Sequence, residues 1–324
     1  MNKELEQVVI EATESKEIID LTVIQDLWSG YGQILRVSLA GGALTNVVVK
    51  YIQIPQNQSH PRGWNSQTSQ ERKIRSYQVE LNWYDKYSQY CKSDCIVPQS
   101  LYSAPIEGGS ILILEDLKYI GYPIIQKDID WTGVQTCIRW LANFHAKFLG
   151  HKAEGLWQEG TYWHLATRPE ELQALKAGPL KDSASLIANK LSASPFQTLV
   201  HGDAKLANFC FSEDCLKVAA VDFQYVGAGC GMKDLAYFVG SCIDDNDCET
   251  LENDILDLYF STLKAAVDDS DLKLSSKDLE SDWRYLYDFA WADFQRFLRG
   301  WSPDHWKINS YSDRKIQNAI EKLG

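Results

Sequence analysis

Residues 199–211 read LVHGDAKLANFCF. Apolar residues that fit the end of a buried strand give way to His201, Gly202, Asp203, Lys205 and Asn208, and Phe209, Cys210 and Phe211 are apolar again. A loop that crowds so many hydrogen-bonding groups between hydrophobic flanks is either a surface turn or a site. The rest of the chain can supply a frame for a site. At 324 residues it exceeds most single cores, and 45% hydrophobic content excludes a disordered chain. The net charge of −12 argues against a nucleic-acid or anionic-membrane partner. The N-terminus has no apolar signal-peptide core, and no uncharged apolar run approaches the roughly 18 residues of a membrane span. A cytoplasmic protein with reduced thiols is therefore expected. Cys91 and Cys95 form the one close cysteine pair, with no second pair to complete a zinc site.

Spacing inside the loop favours a site. Four residues separate Asp203 from Asn208. Phosphoryl transfer of the protein-kinase type uses a catalytic Asp, four residues, and a metal-binding Asn. The Asp orients the attacking hydroxyl and takes its proton. The Asn gives a neutral oxygen to Mg²⁺, a hard cation. Asp222 ends the apolar run AAVD fourteen residues after Asn208 and supplies the second metal carboxylate. At about 5% usage per residue type, His-Gly-Asp-x4-Asn arises by chance in roughly one in 500 chains of this length.

The N-terminal third passes the same test. ILRVSLAG and NVVVKYIQI read as a hairpin around Gly41 and Gly42, and a polar loop follows over residues 54–70. Residues 71–90 read as a helix, and 95–105 and 109–117 as two more strands. The order is β-β-α-β-β after an acidic helical lead over 1–27. Lys50 ends VVVK, where a kinase holds its nucleotide phosphates. Glu71 and Glu80 lie in the next helix, nine residues apart and so on opposite sides; Glu80 shares the inward side with Tyr77 and Tyr84 and is the expected partner. From residue 118 onward the pattern is mainly helical, with short strands near 198–200 and 217–223.

The segments VVVKYI, SYQVELNWY, LILEDL and HGDAKLANFCF with VDFQYVGAGCGMKDLAYF resemble the aminoglycoside phosphotransferase and choline kinase superfamily, and within it the ecdysteroid-kinase-like family. That resemblance implies an α+β, protein-kinase-like two-lobe fold. Residues 1–117 would form a small β-rich N-lobe and 118–324 a larger, mainly helical C-lobe, with the catalytic and metal loops at 199–224. It implies an ATP- and Mg²⁺-dependent kinase acting on a small-molecule hydroxyl. Asp203 would be the catalytic base, Asn208 and Asp222 the metal ligands, and Lys50, paired with Glu80, the phosphate holder. Glu115, Asp116 and Leu117 would be the hinge that meets adenine through its backbone, and Asp234 would brace the catalytic loop. Lys205, where many relatives carry an aromatic residue, is assigned to the transferred phosphoryl charge.

Three departures stand out. Leu35 replaces the third glycine of a phosphate loop begun by Gly30 and Gly32, Gln224 replaces the glycine of Asp-Phe-Gly, and no protein-docking activation loop is visible. His201 and His145 read as structural. The tryptophans at 283, 291, 301 and 306 read mostly as core, although a cage for a cationic substrate is the competing use. Two other functions share the motifs: a non-catalytic nucleotide-binding protein, and a metal-dependent phosphohydrolase using His201, Asp203 and Asp222. The acceptor and the oligomeric state have no readable code.

Overall fold

The computed structural model describes residues 3–27, 30–54 and 67–324. Its N-terminal part is an antiparallel five-stranded sheet flanked by helices. Helix α1 (Lys3–Thr13) precedes β1 (Glu17–Asp26), β2 (Gly32–Ala40) and β3 (Asn46–Gln53); α2 (Gln67–Lys86) then leads to β4 (Ser100–Ile106) and β5 (Gly109–Glu115). The strand order is β1-β2-β3-β5-β4. Val37, Val47, Val49, Ile111 and Ile113 alternate onto one face, where Leu5 and Val9 of α1 cover them. The polar loop expected over 54–70 falls, from 55 to 66, outside the described residues.

The strand β1 corrects the expectation of a helical lead over 1–27. Its register against β2 shifts between Ile18 and Asp20 and again between Val23 and Gln25. Each bulge resets which face the next residue meets, so the period-two signal of a strand is erased from the sequence. Ile18 and Leu21, three apart, are the residues of β1 turned toward the core.

The C-terminal part opens with β6 (Ile124–Ile125) and α3 (Trp131–Lys147). Short helices α4 (Pro169–Ala174), α5 (Pro179–Asp182) and α6 (Ala184–Ser192) follow. Four short strands come next: β7 (Thr198–Val200), β8 (Phe209–Phe211), β9 (Val218–Ala220) and β10 (Gly227–Gly229). The chain ends in α7 (Met232–Cys242), α8 (Asp245–Asp268), α9 (Ser276–Trp301) and α10 (Ser310–Glu321). Ser275 caps α9 through the Asp278 N–H, and α4, α6, α7 and α10 pack around it. Trp283 and Trp291 are buried along α9.

The strands set the site. β7 delivers the chain to His201, β8 begins at the residue after Asn208, and β9 ends two residues before Asp222. β8 and β9 pair antiparallel, and the Val221 N–H donates to the Asn208 carbonyl at 3.0 Å, which places Asn208 beside Asp222.

Trp83 of α2 joins the two parts of the molecule. It is fully buried, stacks on Phe223 at 4.4 Å and meets Phe144 and Phe148 of the C-terminal part at 5.6 and 5.3 Å. Removing a buried indole leaves a cavity that such a packed contact cannot close. Trp83→Ala is expected to cost about 3–5 kcal/mol, read as a lower urea midpoint with unchanged slope.

Candidate active site

Lys50 is 4% exposed on β3, on the opposite face from Val47 and Val49. Its Nζ lies 2.8 Å from Glu80 Oε1, 2.7 Å from Glu80 Oε2 and 3.1 Å from Asp222 Oδ1. Burial works against the ammonium, but Asp222 and Glu80 more than offset it and raise the Lys50 pKa above its ordinary value. Burial also raises the Glu80 carboxyl, opposed by Lys50. The structure thus brings Glu80 to Lys50, whereas Glu71 lies on the exposed side of α2.

The loop after β7 hangs on one buried carboxylate. Asp234, fully buried at the start of α7, accepts from the His201 N–H at 2.5 Å and the Gly202 N–H at 2.9 Å. His145 Nε2 is 3.1 Å from the same carboxylate, and its Nδ1 is 2.7 Å from the Tyr259 hydroxyl. His201 Nδ1 accepts from the Asp203 N–H, so its Nε2 carries the proton and donates to the Val221 carbonyl at 3.0 Å. His201 thus holds backbone directly, and His145 holds the carboxylate that does so. Gly202 has φ +79°, and a Cβ there would lie 2.1 Å from the Tyr225 carbonyl oxygen, so only glycine fits.

Asp203 is 5% exposed. Its Oδ2 accepts from Lys205 Nζ at 2.8 Å and Asn208 Nδ2 at 3.1 Å, and Asn208 Nδ2 also donates to the Asp203 carbonyl at 2.8 Å. With its nitrogen committed twice, Asn208 has its carbonyl oxygen to offer a cation. Asp222 sits just past β9 in the left-handed region, φ +69°. Its side chain keeps 33% of its surface open to the cleft. Burial pushes this carboxyl up, but Lys50, Lys205 and Lys73 outweigh it and hold it well below the usual carboxylate range. An ionised carboxylate beside a neutral amide oxygen is a donor set that suits Mg²⁺.

Gln224 explains a departure noted in the sequence. Its Nε2 donates to Asp222 Oδ1 at 2.5 Å, while its Oε1 accepts from Lys73 Nζ at 3.0 Å and Ser76 Oγ at 3.2 Å. The amide therefore ties α2 to Asp222, which glycine has no side chain to do. At the far end of the cleft, β5 runs into residues 115–117. The Asp116 carboxylate is taken by Arg36 Nε at 2.6 Å and by the Lys118 N–H at 3.1 Å. Leu117 lines the cleft, and its backbone N–H has no hydrogen-bond partner among the described residues. The cleft has a volume of about 710 Å³, and Lys50, Asp203, Asp222, Tyr162 and Trp301 line it together with these residues. Gly30 and Gly32 both have positive φ, and a Cβ at Gly32 would lie 2.0 Å from the Tyr51 carbonyl oxygen; both glycines serve the turn between β1 and β2. Cys91 and Cys95 belong to no group of metal-ligating side chains among the described residues.

Among the cations that escaped the sequence reading are Lys73 and Lys307. Lys73 lies two helical turns before Glu80 and stands 4.6 Å from the Tyr77 ring centroid. Lys307, between α9 and α10, stands 4.9 Å from the Tyr237 ring centroid. The spacing of seven between Lys73 and Glu80 was the available signal for the first. Lys307 is distant in sequence from every motif and gave none.

Residues 157–271 match the model of the ecdysteroid kinase-like family. No curated protein matches the chain in sequence. Among solved structures, an aminoglycoside phosphotransferase mutant in ternary complex with ADP and hygromycin B superposes with a TM-score of 0.51 at 12% identity, over 98% of this chain and 99% of that one. A microcompartment-associated aminopropanol kinase gives 0.51 at 14% identity, over 98% and 94%. A choline kinase from Streptococcus pneumoniae gives 0.48 at 15% identity, over 99% of both chains. The chain has the protein-kinase-like fold of these structures, and its segment 157–271 matches the ecdysteroid kinase-like model. Among the described residues no helix is long and apolar enough to cross a membrane.

Lys73 gives a pH test. Burial lowers its pKa from 10.5 to about 8, with Asp222 opposing. Between those two values the unfolded chain holds a proton that folded Lys73 has released, so this group makes stability rise with pH through that window. Below about 8 both states are charged and the contribution is constant. Urea unfolding of wild type and Lys73→Met across the window is expected to show a shallower rise in the variant.

Proposed function

We propose that this chain is an ATP- and Mg²⁺-dependent kinase that transfers the γ-phosphoryl group to a hydroxyl of a small molecule. The observation that carries the reading is the network of two clusters, Lys50 with Glu80 and Asp222 and Asp203 with Asn208 and Lys205, joined where the Val221 N–H next to Asp222 donates to the Asn208 carbonyl. A binding module has no use for Asp203 at the end of that network, and a hydrolase has none for Lys50 or for the open N–H at Leu117. The fold of the family and of its structural relatives supports the same class.

On this reading residues 1–117 and 118–324 are two lobes around a nucleotide. The backbone at Glu115, Asp116 and Leu117 meets the adenine, and Lys50, fixed by Glu80, meets the phosphates. The Asn208 carbonyl oxygen and the Asp222 carboxylate would hold Mg²⁺, which would supply positive charge to the phosphate oxygens. Asp203 orients the acceptor hydroxyl and takes its proton as the new O–P bond forms and the bond from phosphorus to the β–γ bridging oxygen breaks. Lys205 lies beside Asp203, where its charge balances the transferred group; burial works against its ammonium, but Asp203 and Asp222 keep its pKa raised. The chain's contribution is position and charge rather than covalent chemistry.

The test is thermal unfolding with ATP, with and without Mg²⁺, followed by turnover. Nucleotide at about 100 times its dissociation constant stabilises the fold by about 2.7 kcal/mol. Wild type is expected to show a Mg²⁺-dependent rise in melting temperature. Asp222→Asn, which keeps shape and loses charge, is expected to lose most of it. Asp203→Asn is expected to keep the rise while turnover falls about 10²- to 10⁴-fold. Absence of any nucleotide-dependent rise in wild type refutes the proposal.

A further inference from the structure

The lining of the cleft has a charge opposite to that of the protein. In a chain of net charge −12, seven Lys and Arg but five Asp and Glu line the cleft among the described residues. Lys50, Lys205 and Arg36 each have a carboxylate partner there. Arg72 has none within ion-pair distance among the described residues. It is nonetheless held in place: Nη1 donates to the Thr167 carbonyl at 2.7 Å and Nη2 to Ser69 Oγ at 3.2 Å.

That placement sets Arg72 against a second guanidinium. Arg168 is 8% exposed, donates from Nε to the Tyr162 carbonyl at 2.6 Å, and lies 5.8 and 5.0 Å from the ring centroids of Tyr162 and Phe297. Glu171 accepts from its Nη1 at 3.1 Å and neutralises one of the two charges. Burial first, and Arg168 second, depress the Arg72 pKa; Glu170 and Glu171 offset this only in part. Two fixed guanidinium groups with one bound carboxylate leave a positive charge facing the cleft, and planar forks of this kind match carboxylate, sulfate and phosphate oxygens. Around them stand Tyr162, Tyr225, Tyr237 and Trp301, with Tyr162 ring centroids 5.8 Å from Tyr225 and 5.5 Å from Tyr237. Lys307 stands over the Tyr237 ring.

These charges are not placed for the nucleotide phosphates. Arg72 and Glu80 are eight positions apart on α2, about 12 Å along the helix axis, and Glu80 marks where Lys50 acts. Arg72 and Arg168 are fastened instead to the segment 162–167, which the Tyr162 N–H ties to the Gly202 carbonyl at 3.1 Å, beside the loop that carries Asp203.

Resting on the kinase reading above, we infer that the acceptor is an alcohol built on a ring or other flat apolar body and carrying an oxyanion, which Arg72 and Arg168 grip while the aromatic side chains face the body and Asp203 faces the hydroxyl. The oxyanion group is the recognition handle, and the hydroxyl is the reacting group.

The test uses the full chain with Mg-ADP bound and saturation-transfer NMR with para-(hydroxymethyl)benzoate, its uncharged amide, and para-(aminomethyl)benzyl alcohol as the cationic counterpart. The benzoate is expected to bind in preference to both. Arg72→Gln is expected to weaken it about tenfold while keeping the Mg-ADP rise in melting temperature, and Arg72→Lys to restore part of the loss. Equal or better binding of the amide or the amine, no binding of any probe, or a benzoate signal unchanged in Arg72→Gln overturns the inference and leaves the kinase reading standing. Loss of the Mg-ADP rise in Arg72→Gln also overturns it, since the guanidinium then serves the nucleotide. A wild type with no Mg-nucleotide rise refutes the kinase reading itself.

Discussion

One ammonium group between two carboxylates organises this molecule. Lys50 comes from the N-terminal sheet, Glu80 from the helix that crosses it, and Asp222 from the C-terminal part. Each charge alone is costly in so buried a place, and removing Lys50 leaves both carboxylates without their shared cation. The three are therefore stable only when sheet, helix and loop are all in position. Trp83 stacked on Phe223 and Gln224 bonded to Asp222 fasten the same joint with apolar surface and with an amide. The ion triad sets the register, and the packing around it supplies most of the stability.

A second buried carboxylate does for the backbone what Lys50 does for the side chains. Asp234 satisfies the N–H groups of His201 and Gly202, and the strand β7 that precedes them is only three residues long. So short a strand cannot aim a loop alone. The His145–Tyr259 pair behind Asp234 carries that aim into α3 and α8, so the orientation of Asp203 rests on the helical core.

Much of this was legible in the sequence because the chemistry is local there. His201 to Asn208 is one short stretch, Asp222 follows within one hairpin, and the choice of Glu80 over Glu71 followed from helical geometry. The strands β2 to β5 announced themselves by alternation and by their turns. What stayed hidden depended on departures from period or on distance. The bulges of β1 cancelled its alternation, so its charges read as helix. Lys73 and Arg72 were surface-like letters on an amphipathic helix until Gln224 and Thr167 arrived from more than ninety residues away to hold them. Arg168 sits in a stretch of helix and loop without a motif, and its role is defined by Tyr162, Glu171 and Phe297 together.

The left-handed backbone at Asp222 narrows the letters open to that position. Among residues with a side chain, aspartate and asparagine enter that region most readily, and glycine enters it freely. Glycine brings no oxygen, and asparagine brings no charge to Lys50. A position asked at once for a turn and for an anion has a vocabulary of one, so a lineage that drifted away from chemistry would register the change here as a lost charge before it registered a lost fold.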